Sequence, residues 1–220
     1  METCGRSVDL PSRGSSSRSK RAFDFTAAAV GLLLLTFPFS IIALAIKAGS
    51  CGPVFYRGVR IGRFGRPFRI YKFRTMVPDA ERSGTATGHN DSRITTAGSW
   101  LRRYKLDELP QLINVLKGEM SLVGPRPEVE EHTSVYSAEE QLILTAIPGI
   151  TDLSSMRFVR LGELLGTEDP NKVFIERYRA EKNRLRLEYV RTRSFWLDLK
   201  IIVLTLWAIT GGRNHMTGAR

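Results

Sequence analysis

Residues 25–46 carry no charged side chain, and a run of about 20 apolar residues is enough to form a membrane helix. This run constrains the chain more than any other feature, because its apolar surface must leave water. Pro38 lies inside it. Both flanks are basic, with Arg6, Arg13, Arg18, Lys20 and Arg21 before the run and Lys47, Arg57, Arg60, Arg63 and Arg66 after it. A cleaved signal peptide fits poorly, since its apolar region spans only roughly 7–15 residues. A straight spanning helix would put one basic flank on the side that Lys and Arg avoid. A helix–break–helix that dips into one leaflet and returns has no such conflict. Pro38 lacks an N–H and crowds the preceding turn, and the hydroxyls of Thr36 and Ser40 are at hand for backbone groups freed at a bend. The residues alone leave the spanning and re-entrant forms open.

The rest of the composition narrows the partners. The chain has 33 Lys and Arg against 22 Asp and Glu, a net charge of +11. An acidic partner is required: nucleic acid, an anionic membrane surface or a phosphorylated substrate. Cys4, Cys51, His89, His132 and His215 show neither disulfide nor zinc spacing, which points to a reducing compartment. Residues 1–19, rich in Ser, Arg and Gly, read as a flexible basic tail.

Beyond Gly52-Pro53 the pattern turns strand-like. Residues 54–56 and 67–71 flank a Gly-rich segment and predict a hairpin with its turn near Gly65. If the chain stays extended from Ile70 to Met76, Lys72 and Arg74 share a face and call for an anion between them. Residues 77–98 are polar and Gly-rich and read as a long loop. From Leu106 the spacing of Leu106, Leu109, Leu112, Ile113 and Leu116 predicts a helix, which Pro110 restricts to a start near Asp107. Asp107 and Glu108 there are either a cap that offsets the helix dipole or, among so many cations, a nucleophile for phosphorus. Arg126, fixed between Pro125 and Pro127, suits a rigid anion contact. Residues 173–193 predict a basic helix with a solvated or lipid-facing side. The apolar stretch 195–209, with Trp196 and Trp207 on one face, is short for a span and suits the membrane interface.

These residues occur in an order that resembles the bacterial sugar transferases, monotopic polyprenyl-phosphate phosphoglycosyl transferases. The matching pieces are Lys20-Arg21-Ala22-Phe23-Asp24, Gly52-Pro53-Val54-Phe55-Tyr56, Tyr71-Lys72-Phe73-Arg74-Thr75-Met76 and the block from Leu106 to Lys117. Gly124-Pro125-Arg126-Pro127, Pro148-Gly149-Ile150-Thr151 and Asp198-Leu199-Lys200-Ile201-Ile202 complete them. The resemblance implies that Asp107 attacks the sugar-linked phosphate of a UDP-sugar and expels UMP, and that the phosphosugar then passes to a polyprenyl (undecaprenyl-type) phosphate. It implies Mg²⁺ with Asp107 and Glu108 as its ligands, Glu108 as proton handler or metal holder, and Lys72, Arg74, Arg102 and Arg126 with Pro125 and Pro127 around the substrate. It also implies a re-entrant apolar segment bent at Pro38, and the cytoplasmic face of a bacterial inner membrane as location.

The chain departs from the family pattern in three places. Phe37 precedes the membrane proline where Ser is usual, Phe64-Gly65 replaces Asn-Gly at the hairpin turn, and Asp152-Leu153-Ser154-Ser155 replaces Gly-Leu-Ala-Gln. The last segment is one that the resemblance places near the donor sugar.

The expected fold is therefore α+β and mostly helical, with a re-entrant N-terminal helix, a small β-hairpin element and interfacial amphipathic helices. Its parts are a tail at 1–19, a membrane helix–break–helix at 20–50, a cytoplasmic catalytic domain at 51–194 and an interfacial helix and tail at 195–220, a minimal catalytic unit. Two other classes remain to be weighed. A membrane-anchored nucleic-acid binder lacks any helix-turn-helix, finger or aromatic RNA-binding pattern, so no nucleic-acid partner is expected. A non-catalytic basic scaffold gives no reason for an acidic pair among cations.

Overall fold

The apolar run forms the middle of one long helix, α1, Ser16–Gly49, with Pro38 inside it. The computed structural model describes residues 16–78, 80, 91–158 and 170–210. In place of two helices around a break, helical structure continues through Pro38, because a proline can bend a helix without ending it. The Thr36 hydroxyl donates to the Leu32 carbonyl at 2.9 Å and the Ser40 hydroxyl to the Thr36 carbonyl at 3.0 Å. Thr36 and Ser40 lie two residues either side of the proline, and neither hydroxyl bonds the Leu34 carbonyl that the missing N–H of Pro38 would have served.

Two stripes run along α1. Val30, Leu33, Leu34, Phe37, Ile41 and Leu44 are exposed. On the other side Ala28, Leu32 and Leu35 pack on Ile70, Leu112, Val115 and Met120, while Phe39, Ile42 and Ile46 pack on Phe73, Leu101 and Leu106. Polar contacts pin both ends. Arg21 donates to the carbonyls of Val115 and Leu116 at 2.5 and 2.9 Å, the cation-to-helix-C-terminus contact that the dipole favours. Asp24 accepts from the Ser121 hydroxyl at 2.7 Å, and Lys20 pairs with Asp198. Past the far end, Arg74 donates to the carbonyl and hydroxyl of Ser50 at 2.8 and 2.9 Å.

The β element is a nested pair of ladders instead of one hairpin. Strand β1 (Phe55–Tyr56) pairs antiparallel with β4 (Lys72–Phe73), and β2 (Val59–Ile61) with β3 (Pro67–Arg69). The turn lies where expected, at Arg63–Gly65, and Phe64 takes a left-handed φ of 59°. Helix α2, Thr96–Arg103, is capped by the Thr95 side chain, which accepts from the Gly98 amide at 3.0 Å. A 3₁₀ turn at Leu106–Gln111 then leads into α3, Leu112–Lys117. The single helix expected here starts as a tighter turn because Pro110 cannot give the bond to Leu106 that an α-helix needs.

Strand β5 (Ser121–Val123) pairs in parallel with β6 (Gly149–Thr151). Between them lie α4, Glu130–Thr133, and a 3₁₀ turn at Glu140–Thr145. Helix α5, Leu153–Arg157, follows β6. Then α6 (Pro170–Val173) passes through a π turn at Phe174–Tyr178 into α7 (Arg179–Thr192), and α8 (Phe195–Thr210) closes the described chain.

The basic helix is not simply a solvated one. Lys182, Arg186, Leu185, Leu187, Tyr189 and Val190 of α7 are buried, and Tyr189 and Val190 pack with Val123, Ala146 and Ile201. Helix α8 turns Ile201 inward and leaves Trp196, Leu199, Val203, Leu206 and Trp207 exposed.

The β5–β6 pairing depends on two glycines that let backbones meet. A Cβ on Gly149 would lie 2.0 Å from the amide nitrogen of Gly124 and 2.5 Å from its carbonyl oxygen. Gly149→Ala is expected to destabilise the fold by about 1–3 kcal/mol through overpacking, read as a lowered thermal midpoint of the purified protein.

Candidate active site

The tight turn at Leu106–Gln111 presents two adjacent carboxylates to different surroundings. Lys105 precedes it with a left-handed φ of 58°, a conformation that non-glycine residues seldom adopt. Glu108 is fully engaged. Its Oε1 accepts from Lys72 Nζ at 2.9 Å and from Arg126 Nη2, while its Oε2 accepts from Arg126 Nη1 at 2.9 Å. The guanidinium thus grips the carboxylate in the two-pronged manner that arginine geometry favours. Burial opposes ionisation of Glu108, but Arg126 and Lys72 outweigh it and hold the carboxyl well below its ordinary value. Reciprocally, the charge of Glu108 raises the guanidinium of Arg126.

Asp107 is different. It is 8% exposed, and its Oδ1 is buried without a hydrogen-bond partner among the described residues. Burial and the neighbouring charge of Glu108 push its carboxyl up, against the pull of Lys72, Lys105 and Arg102. One residue therefore carries a neutralised carboxylate and the next an unshared oxygen. Opposed shifts of two neighbouring acids are the usual mark of divided chemical roles.

The other expected residues divide in the same way. Lys72 sits on β4 and Arg126 lies half-buried between the buried Pro125 and Pro127. Arg102, on α2, donates from Nε to the Thr75 hydroxyl at 2.8 Å and adds its charge near Asp107. Arg74, next in the chain to the short strand β4, does not join Lys72 at Glu108 and donates instead to Ser50, just past the end of α1. Its Nε and Nη1 are buried without a partner among the described residues. Pro38 is exposed on α1. The polar segment expected as a loop falls partly outside the described residues, at 79 and 81–90.

Sequence reasoning missed three contributors. Lys105 is close enough to act on Asp107, and Thr75 orients Arg102. Asp152 accepts the Arg126 backbone amide at 3.1 Å. Lys105 was visible as part of the basic cluster before Asp107, whereas the other two contacts join distant segments and leave no local signal.

Among the described residues no three His, Cys, Asp or Glu side chains gather as a metal cage. Mg²⁺ does not need one, since it commonly binds one or two carboxylates together with substrate phosphates. The unshared Oδ1 of Asp107 fits that role. Both oxygens of Glu108 are already held by cations, so Glu108 fits only by giving one of them up.

The chain belongs to the bacterial sugar transferase family, which matches residues 15–212. It is 42% identical over 203 residues to the undecaprenyl-phosphate glucose phosphotransferase of Komagataeibacter xylinus, covering 89% of this chain and 36% of that protein. It is 40% identical over 203 residues to the UDP-glucose:undecaprenyl-phosphate glucose-1-phosphate transferase of Escherichia coli (strain K12), covering 90% and 42%. To the exopolysaccharide production protein ExoY of Rhizobium meliloti (strain 1021) it is 36% identical over 212 residues, covering 89% of this chain and 87% of that one. The chain thus spans well under half the length of the first two relatives and most of the third.

Replacing Glu108 by Gln leaves Lys72 and Arg126 without their counter-charge, at a cost of about 3 kcal/mol. A depressed folded value means that ionised Glu108 stabilises fully above its ordinary pKa of 4.5 and loses that contribution as pH falls below it. The thermal midpoint of Glu108→Gln is therefore expected to lie below wild type at pH 7, with the gap closing as the pH is taken under 4.

Proposed function

We propose that the protein transfers a sugar 1-phosphate from a UDP-sugar to a polyprenyl phosphate, releasing UMP, as the first membrane step in the synthesis of a surface glycan. The observation that carries this reading is the unshared, buried carboxylate oxygen of Asp107 beside a cation-neutralised Glu108, ringed by Lys72, Lys105, Arg102 and Arg126. Relatives named as UDP-glucose:undecaprenyl-phosphate transferases make UDP-glucose the first donor to assay.

In the first step a carboxylate oxygen of Asp107 attacks the sugar-bearing phosphorus. A bond forms between them, the bond from that phosphorus to the bridging oxygen breaks, and UMP leaves with the oxygen. In the second step a phosphate oxygen of the lipid attacks the same phosphorus and breaks its bond to Asp107, which regains its carboxylate. Two half-reactions let a soluble donor and a lipid acceptor use one nucleophile in turn. Arg126 and Lys72 bind and orient the diphosphate, and Arg102 favours the ionised form of Asp107 that attack requires. Pro125 and Pro127 limit the backbone freedom of Arg126. Glu108 sets the position of both cations before the donor arrives. Mg²⁺, held by Asp107 and the substrate phosphates with Glu108 as a second carboxylate, would neutralise charge on the transferring group.

Topology belongs to the same reading. Helix α1 enters and leaves the membrane by the cytoplasmic face. From Arg21 to Ile46 a straight helix rises about 38 Å, more than the roughly 30 Å of a bilayer core, yet polar contacts at both ends tie it to a single body. The exposed apolar stripe of α1 and the exposed face of α8, with Trp196 and Trp207, then meet lipid. Cysteines placed next to Lys20 and next to Lys47 are both expected to resist impermeant thiol reagents applied to intact cells. Outside labelling of either end would remove the re-entrant form.

The mechanism is tested on enzyme incubated with UDP-glucose and Mg²⁺ without lipid. A phosphosugar adduct is expected on the peptide holding Asp107, disappearing when undecaprenyl phosphate is added. Asp107→Asn retains the shape of the turn and is expected to lose UMP release by at least a thousandfold, with little change in thermal midpoint. Turnover by that variant near the wild-type rate would exclude Asp107 as nucleophile, and a failed adduct with UDP-glucose alone calls for the remaining UDP-hexoses before the reading is abandoned.

A further inference from the structure

Behind Arg126 lies a buried charged cluster that the reaction above does not use. Asp152 has no exposed surface and Arg186 is 1% exposed. Asp152 caps α5 through Oδ1, which accepts the Ser155 amide at 2.5 Å. Its Oδ2 accepts the Arg126 amide at 3.1 Å, and the Ser154 hydroxyl lies 2.9 Å from both oxygens. The Arg186 Nε stands 3.8 Å from Oδ2. The same guanidinium donates to Glu128 through Nη2 and to Asn183 Oδ1 at 3.0 Å through Nη1. Glu128 is also bonded by His132 at 3.1 Å, and its carbonyl accepts from the Ile61 amide at 2.9 Å. The stretch from Arg126 to Glu128 is thus fixed at both ends, by Asp152 at the N-cap of α5 and by Arg186 of α7.

Within this stretch and just before it the chain has little freedom. Pro125 and Pro127 each lock one dihedral, so a displacement of the Arg126 amide passes to its side chain and to the guanidinium that lies on Glu108. We propose that Asp152 is a positioning residue for donor binding. Its carboxylate holds the Arg126 backbone so that the guanidinium meets the diphosphate of the nucleotide sugar. The proposal rests on the reading of Arg126 as a diphosphate ligand.

Only a carboxylate can do this and cap α5 together. Two oxygens serve three donors here, whereas an amide has one accepting oxygen and a hydroxyl is too short to reach both sites. Asp152→Asn and Asp152→Ser each keep an oxygen for the α5 cap, which both residue types form well. Arg186 keeps Glu128 in either variant. Each variant therefore separates the hold on Arg126 from the stability of the helix, and the serine form decides the matter if the asparagine form melts early.

The measurement is calorimetric titration of UDP with Mg²⁺ into full-length protein in lipid nanodiscs. Wild type, Asp152→Asn, Asp152→Ser, Arg126→Ala and the doubles with Arg126→Ala are compared. Both Asp152 variants are expected to bind UDP about tenfold more weakly, with thermal midpoints lowered by the loss of a buried charge but the fold retained at the titration temperature. In the Arg126→Ala background they are expected to cause no further loss, because coupled residues are not additive. Wild-type affinity in both Asp152 variants, alongside a weakened Arg126→Ala, would overturn the positioning role alone. An equal loss on top of Arg126→Ala would overturn it too, by showing that Asp152 acts elsewhere. If Arg126→Ala itself binds UDP as wild type does, the reading of Arg126 fails and the proposal falls with it.

Discussion

The carboxylate of Glu108 joins three segments that are far apart in the chain. Lys72 comes from a short strand, Glu108 from a 3₁₀ turn, and Arg126 from a loop held by prolines. Removing these charges from water is costly, and only close, multiple hydrogen bonds offset it. The arrangement therefore admits little slack, and the tight turn, the left-handed Lys105 and the paired prolines all serve to maintain it. Its product is an asymmetry. Glu108 absorbs the nearest cations, so the adjacent Asp107 retains an unshared oxygen that is still surrounded by positive charge.

Local patterns revealed the candidate site residues better than the contacts that support them. The Asp107-Glu108 pair, the Arg126 turn and the 106–117 apolar spacing are features of contiguous sequence, and the structure brings them together. The nested ladders were not legible, because a two-residue strand carries almost no periodic signal and its partner lies across a turn. Nor was the interior of α7. A row of Lys and Arg reads as solvated, yet Arg186 is buried because Glu128, from another part of the chain, awaits it. Asp152 stood out only as a departure from a familiar pattern. Its contact with the Arg126 amide joins segments that only the β5–β6 pairing brings together.

Helix α1 presents the opposite case: conspicuous in the sequence, but misleading in kind. A long uncharged run invites the picture of an anchor attached to a separate soluble domain. Instead one of its stripes supplies Ala28, Leu32 and Leu35 to the same cluster as Leu112 and Val115 of α3, the helix that follows the turn bearing Asp107 and Glu108. The outer stripe remains apolar and exposed among the described residues. The helix is both a wall of the core and a surface made for lipid.

For this protein, then, the boundary between what water tolerates and what it does not runs lengthwise along a helix and does not fall between two segments of sequence. Cutting the chain after Gly49 would trade one greasy surface for another, uncovering Leu112, Val115 and Met120 while also leaving the carbonyls at the end of α3 without Arg21. In the piece that remained, the turn bearing Asp107 and Glu108 would lead into a helix stripped of its α1 contacts. Removing α1 would therefore bare the α3 face that it covers, while keeping α1 leaves an exposed apolar stripe that calls for detergent or lipid.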